Sequence, residues 1–253
     1  MENVRERERL TVESGSRFIT RVFFYMFIAL LFTAVVSTVV GVLFSTFIGL
    51  KLGDGGMEEV INADAFLIYL VVLIISIIML IATSIWFHIS AFRGKHSLVV
   101  PFALYALAMG TLGSFFVIFV DWQSIAIAFG ITCLAFGSMA LIGFLTRKRN
   151  MNFLLIVILG LFIGVVVLTL VNLIFYFVPA LQQLAAWNYL VIEYAVLGIC
   201  LLITIWDVWR INKIAERGEA NNNLALYCAF NLYVDFINLF IRILALVMRA
   251  RSR

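Results

Sequence analysis

Four polar side chains lie in the interior of the last hydrophobic stretch of this chain, Leu224–Val247. They are Asn231, Asp235, Asn238 and Arg242, which follow one another at intervals of four, three and four residues. On an α-helix these side chains fall within an arc of about 60° and form one polar stripe. A carboxylate or a guanidinium in the hydrocarbon core of a bilayer costs about 2.5–3.5 kcal/mol on the mildest insertion scale, so the stripe is expected to face a protein interior or a wet cavity. Asp235 is therefore the first candidate functional residue.

A second acid, Asp207, follows the sixth hydrophobic stretch, within the sequence WDVWRI that begins at Trp206. Because only a short connection leads to the last stretch, the two helices are expected to be neighbours, and Asp207 and Asp235 can approach each other. Two carboxylates in a poorly solvated space cannot both ionise cheaply, and a pair that shares one proton is a pH sensor. Loss of that proton adds a charge, which either repels the helices or recruits a cation such as calcium, whose ligands are oxygen atoms.

The predicted depths of the two acids argue against direct contact. Asp235 lies about 15 Å along its helix, whereas Asp207 is expected at the membrane edge, so contact requires tilt or a deeper sixth helix. Simpler interpretations stay open as well: an exposed ion pair between Asp207 and Arg210, and hydrogen bonds between helices for Asp235 and its asparagines. Arg242 is interpreted as a counter-charge to the stripe or as a residue that reaches the interface. Candidate partners of the acid pair are His88, Arg93, Arg210 and Glu193.

The composition indicates a membrane protein. Hydrophobic residues make up 64% of the chain and charged residues 13%, against about 45–50% and 25% in soluble domains. Seven stretches are long enough to cross a bilayer, and they are predicted at Val22–Ile48, Ala65–Phe92, Leu98–Val120, Ser124–Phe144, Phe153–Val178, Trp187–Trp206 and Leu224–Val247. The expected fold is an all-α, polytopic bundle, with a cytosolic tail over residues 1–21, a membrane domain over 22–248 and a short basic tail over 249–253.

The distribution of basic residues predicts the orientation. Of the 18 Lys and Arg residues, 13 lie in the N-terminal tail and in loops on the same side of the membrane. By the positive-inside rule the N-terminus is cytosolic, and the acidic loop that contains Asp54, Glu58 and Glu59 faces out. The C-terminal arginines disagree, because a seventh crossing places them outside. A re-entrant last segment would return them to the cytosol, and seven crossings are preferred.

Several function classes are excluded because the sequence lacks their motifs. The chain has no G-x-S-x-G, H-E-x-x-H or P-loop sequence, and neither an enzyme activity nor a cofactor is expected. Its three cysteines are far apart, and the basic residues flank apolar runs, which does not favour nucleic acid. All four lysines, including Lys213, lie in predicted loops, so a retinal Schiff base has no candidate.

Small residues recur in the third to fifth spans and are interpreted as sites of close helix packing. They are Ala106, Gly110, Gly113, Ser114, Gly130, Gly137, Ala140, Gly143, Gly160 and Gly164.

The motif that contains Asp235, LYVDFINLF from Leu232 to Phe240, resembles the signature of the Bax inhibitor-1 (transmembrane BAX-inhibitor-motif) family. The resemblance extends to FALYALAMGTLGSFF at Phe102–Phe116, to AFGITCLAFGSMALIGFLTRK at Ala128–Lys148, and to the fifth span with Asn172. Two departures stand out. Val208 and Trp209 follow Asp207 where the family commonly has threonine and glutamine, and His88 and Arg93 replace the second-span arginine of some bacterial members.

This resemblance implies seven helices with the last one central, and an aspartate pair, Asp207 and Asp235, that acts as a pH-sensitive latch on a calcium leak. The leading hypothesis is thus a pH-sensitive cation leak with calcium as the expected ion, which would bind transiently near the two acids. The alternative is a non-conducting membrane regulator that binds a membrane protease or a stress-response partner. The dense arginine flanks favour a bacterial plasma membrane over the endoplasmic reticulum.

Overall fold

The computed structural model describes residues 2–48, 62–93, 97–146, 150–177, 182–217 and 221–251. Within these ranges the chain forms seven helices and no strand. The helices are α1 Glu2–Ile48, α2 Ala63–Arg93, α3 Val99–Phe119, α4 Trp122–Leu145, α5 Asn152–Phe177, α6 Gln182–Glu216 and α7 Asn222–Arg251. Each contains a segment long and apolar enough to cross a membrane. The prediction of a seven-span, all-α membrane protein is confirmed.

The predicted and observed bounds of α6 differ at its C-terminal end. The predicted span stops at Trp206, but the helix continues to Glu216. Polar residues lower the hydropathy of this extension, yet it keeps an apolar side on which Val208, Ile211 and Ala215 are buried. Asp207 therefore lies inside a helix and not at its end, and the prediction that it marks the helix end is wrong.

Two further residues of the predicted connection also belong to α6. Arg210 is helical, and Lys213 lies in the last turn, where its Nζ atom is 3.2 Å from an Oε atom of Glu216. The prediction of a loop at Lys213 is wrong, although its half-exposed position is unsuited to a buried Schiff base. The other three lysines, Lys51, Lys95 and Lys148, lie outside the described residues, as do most of the acidic loop and Arg253.

The chain forms two compact units. The first comprises Met1–Ile127 and Gly218–Tyr233, and the second comprises Ala128–Arg217 and Val234–Arg253. Helix α7 thus contributes its first half to one unit and its second half to the other. In the most apolar segment of α7, 39% is buried, against 6% in that of α5.

Close packing of α1 on α3 dominates the first unit. A Cβ atom added at Gly110 would lie 2.7 Å from the Cβ atom of Val36 and 2.9 Å from the backbone oxygen of Thr33. One added at Gly41 would lie 2.7 Å from a methyl carbon of Val117. The two helix backbones therefore approach as closely as only glycine allows, which is how helices associate without a hydrophobic driving force.

The small residues of the second unit divide into two groups. At Gly143, an added Cβ atom would lie 2.9 Å from the backbone oxygen of Ile205, so the packing interpretation holds for α4 against α6. Nothing lies within 4 Å of such an atom at Gly130, Gly137, Gly160 or Gly164. For these four glycines, packing within the described part of the chain is not observed.

Replacement of Gly110 by alanine is expected to destabilise the protein by about 1–3 kcal/mol, because the new methyl group forces α1 away from α3. Thermal unfolding of the purified protein in detergent measures the effect. The matched control is Gly137→Ala, which adds the same methyl group in open space and replaces a poor helix former. That variant is expected to unfold at or slightly above the wild-type temperature, and equal losses in both variants would contradict the packing analysis.

Candidate functional site

The side chains of Asp207 on α6 and Asp235 on α7 are hydrogen bonded to each other within the second unit. Asp207 is only 9% exposed. Ionised carboxylates accept hydrogen bonds but cannot donate them, so a bond between two carboxyl groups requires a proton on one of them. The structure therefore brings together the two acids that the sequence singles out, as a hydrogen-bonded pair.

The extension of α6 explains how the two acids meet. Asp207 lies nine residues before the end of α6, which is about 14 Å of helix, and Asp235 lies thirteen residues after the start of α7, about 20 Å. Both acids are thus well inside their helices. The depth objection depended on a sixth helix that ends at Trp206, and it does not apply to the helix observed.

The surroundings of the acid pair are apolar. Ile205 and Trp209, on either side of Asp207 in the chain, are buried in a cluster with Met151 and Leu154 of the α4–α5 region. On α7, the ring of Phe236, next to Asp235, contacts the rings of Phe129 and Phe136 at centroid distances of 5.9 and 5.4 Å. Such walls solvate charge poorly, which favours a pair with one proton over two carboxylates.

Asp235 also has an unused oxygen. Its Oδ2 atom is buried and has no hydrogen-bond partner in the described part of the chain. The bond to Asp207 is therefore made by the other oxygen. Two more buried polar atoms of the second unit, Trp206 Nε1 and Asn172 Oδ1, also have no partner there.

Arg210, the candidate partner of Asp207 in an exposed ion pair, lies three residues further along α6. Its side chain is exposed, and its guanidinium lies over the ring of Trp206, 5.4 Å from the ring centre. The charge of Arg210 acts on Asp207 at longer range. Because Asp207 is buried and hydrogen bonded to Asp235, an exposed ion pair does not describe it.

A second pair of charged groups joins the same two helices. Arg242 Nη1 donates to Glu193 Oε1 at 3.4 Å. Beyond it, the Arg249 guanidinium lies over the ring of Tyr189 at 4.9 Å. From late to early residues of α6, the contacts thus move to later residues of α7, so the two helices are antiparallel neighbours. Glu193 is a partner of the polar stripe, through its last member.

The other members of the predicted set are placed differently. Asn238 is exposed, so it lies at a surface and is not buried in packed side chains, whereas Asn231 is half-buried and belongs to the first unit. The side chain of Arg93 lies outside the described residues. Among the described residues, no group of three His, Cys, Asp or Glu side chains could hold a metal ion. A transient calcium site would therefore have two carboxylates as its protein charges.

His88, the remaining candidate partner, lies in an aromatic cluster of the first unit. Its Nδ1 atom is 2.8 Å from the backbone oxygen of Ser84, and its ring packs edge-on against Tyr227 and Phe230. Phe230 is also stacked on Phe87 at a centroid distance of 4.0 Å. These contacts describe a packed aromatic ring that is fixed by its own helix.

Sequence reasoning missed the buried hydrogen bond between Tyr233 and Thr33. The two hydroxyl oxygens are 2.7 Å apart, and Thr33 Oγ1 also lies 2.8 Å from the backbone oxygen of Ala29. The pair ties α7 to α1 within the first unit. A hydroxyl in an apolar span signals that a partner exists, but nothing in the sequence identifies a partner 200 positions away.

The shared proton predicts an infrared signature. Wild-type protein is expected to show a carboxylic-acid carbonyl band that disappears in the variant Asp207→Asn/Asp235→Asn, because that variant has no acid pair. Glu216→Gln, which removes an exposed carboxyl from the same helix, is the matched control and is expected to retain the band. A wild-type spectrum identical to that of the double variant would contradict the hydrogen bond between the carboxyl groups.

Comparison with known proteins places this chain in a family. An uncharacterized protein of Borreliella burgdorferi is 31% identical over 158 residues, 60% of this chain and 63% of that protein, so the chain covers less than two thirds of that relative. The "Inner membrane protein YbhL" of Escherichia coli K12 is 28% identical over 215 residues, 81% of this chain and 85% of that protein. No solved structure gives a significant match. Residues 15–253 match the family described as "Inhibitor of apoptosis-promoting Bax1", and this multi-pass membrane protein therefore belongs to the Bax inhibitor-1 family.

Proposed function

We propose that this protein is a pH-sensitive cation leak channel, with calcium as the conducted ion, and that the proton shared by Asp207 and Asp235 controls the leak. The observation that carries the proposal is the hydrogen bond between these two carboxyl groups. A bond of this kind exists only while a proton is present. It is therefore a contact between α6 and α7 that the pH can make and break.

The electrostatic cost of losing the shared proton supplies the driving force for breaking the contact between α6 and α7. Two negative charges about 4 Å apart repel each other by about 4 kcal/mol at the effective dielectric constant of protein sites. The apolar walls around Phe236 and Trp209 offer little solvation to offset this repulsion. The deprotonated pair is relieved either by separation of α6 from α7 or by a cation between the carboxylates, and both responses favour a path for cations.

The unused Oδ2 atom of Asp235 supports this proposal. Buried polar atoms in proteins nearly always have a partner, and this one has none in the described chain. Water or a passing cation can supply it. Calcium takes six to eight oxygen ligands, and two carboxylates offer at most four, so the acid pair suits an ion in transit better than one that is stored.

The membrane and the orientation of the protein are inferred from a relative and from the distribution of basic residues. The relative in Escherichia coli carries the name of an inner membrane protein, and 13 of the 18 basic residues lie on one predicted side. We place this chain in a bacterial inner membrane, with its N-terminus in the cytosol. In that orientation the loop between α6 and α7, and with it the nearer approach to Asp207, faces the cytosol.

Calcium flux into liposomes that contain the purified protein tests the proposal. Wild-type calcium flux is expected to rise severalfold from pH 5 to pH 8, because loss of the shared proton favours a path for cations. In Asp235→Asn the amide N–H group can donate to the Asp207 carboxylate without any added proton, so the flux is expected to become nearly independent of pH.

Glu216→Gln is the control for this experiment, because it removes a carboxyl from the exposed end of α6, and it is expected to keep the wild-type pH profile. Identical profiles for wild type and Asp235→Asn would refute the role of the acid pair. Absence of flux at every pH would refute conduction and favour the non-conducting membrane regulator.

A further inference from the structure

The second half of α7 carries a polar strip beyond the acid pair. Asn238 is exposed, and the side chain of Arg242, four residues later, is 41% exposed. In a membrane-spanning helix a guanidinium cannot be turned towards acyl chains without a large cost. The strip therefore borders a wet space or another polar surface, unless the long side chain of Arg242 extends to the membrane interface.

Glu193 faces Arg242 from α6 and has a different environment. It is 5% exposed, and its Oε1 atom is 3.4 Å from Arg242 Nη1. A buried carboxylate with a half-exposed guanidinium as partner presents the positive charge, and not the negative one, to the wet space. The pair is thus electrically asymmetric when seen from that space.

The ion pair and the acid pair lie along one line between the same two helices. The thiol of Cys200 on α6 lies within electrostatic range of both Arg242 and Asp235. Along α7, Asp235 and Arg242 are separated by seven residues, which is two helical turns or about 10 Å. A cation that passes the acid pair in this direction therefore meets the guanidinium next.

We propose that the Glu193–Arg242 pair is a fixed-charge constriction of the same pathway, in which the guanidinium limits cation passage and Glu193 partly cancels its charge. This inference rests on the proposed leak function. Arginine keeps its charge at every physiological pH, so this element sets the size and the ion preference of the leak, while the acid pair sets its response to pH.

Neutralisation of the two partners gives the distinguishing test, since they are expected to act in opposite directions. Arg242→Gln removes the positive barrier and is expected to raise calcium flux severalfold, with a smaller rise for potassium because a divalent ion feels twice the potential. Glu193→Gln leaves the guanidinium uncompensated and is expected to lower both fluxes. A pair that merely ties α6 to α7 would shift both variants in the same direction.

Arg242→Lys is the matched comparison for Arg242→Gln, because it retains the positive charge and is expected to conduct less calcium than the glutamine variant. If Glu193→Gln fails to fold, the comparison of Arg242→Gln with Arg242→Lys still tests the inference. Calcium flux in Arg242→Gln that is no higher than in Arg242→Lys overturns it. Changes of the same sign in both neutralised variants, alongside a normal effect of Asp235→Asn, overturn the constriction but leave the leak intact. Absence of flux in wild type and in Arg242→Gln overturns both proposals.

Discussion

A proton shared by the carboxyl groups of buried Asp207 and half-buried Asp235 is the constraint on which the proposed mechanism depends. Without it, the two side chains would place two negative charges in contact between apolar walls, and separation of the helices or a cation between the carboxylates would have to relieve their repulsion. With it, the same two side chains become a hydrogen bond that joins α6 to α7. In the proposed mechanism this bond exists in one protonation state only, so the contact between these helices depends on the pH.

The position of the acids depends in turn on how far α6 continues. Its last turns bury Val208, Ile211 and Ala215 and direct Arg210 outwards. Gly143 permits the backbone of α4 to reach Ile205, two residues before Asp207. A larger residue at this glycine would separate α4 from the part of α6 that carries the acid. The apolar surroundings of the pair are thus built by helix contacts that are close because one residue is small.

Hydropathy and spacing were sufficient to predict the seven helices and the two acids, because the cost of polar groups in lipid leaves a strong pattern in any membrane sequence. The end of α6 was not predictable in this way. The residues after Trp206 are amphipathic, and a hydropathy window reads such a segment as a loop. The partners of Arg242 and of Tyr233 were equally inaccessible, since they depend on which faces of two helices meet. Likewise Gly110 and Gly137 look alike in sequence, yet only the first touches another helix.

The two polar pairs between α6 and α7 differ in the chemistry of their partners, and that difference underlies the roles proposed for them. Glu193 is paired with a guanidinium, which supplies both the positive charge and the hydrogen-bond donor that a buried carboxylate needs. Its bond to Arg242 therefore persists without an added proton. Asp207 is paired with another acid, so its donor must come from solution as a proton. Of two contacts along one helix interface, only the one between like groups can respond to pH, and the one between unlike groups holds a constant charge beside it.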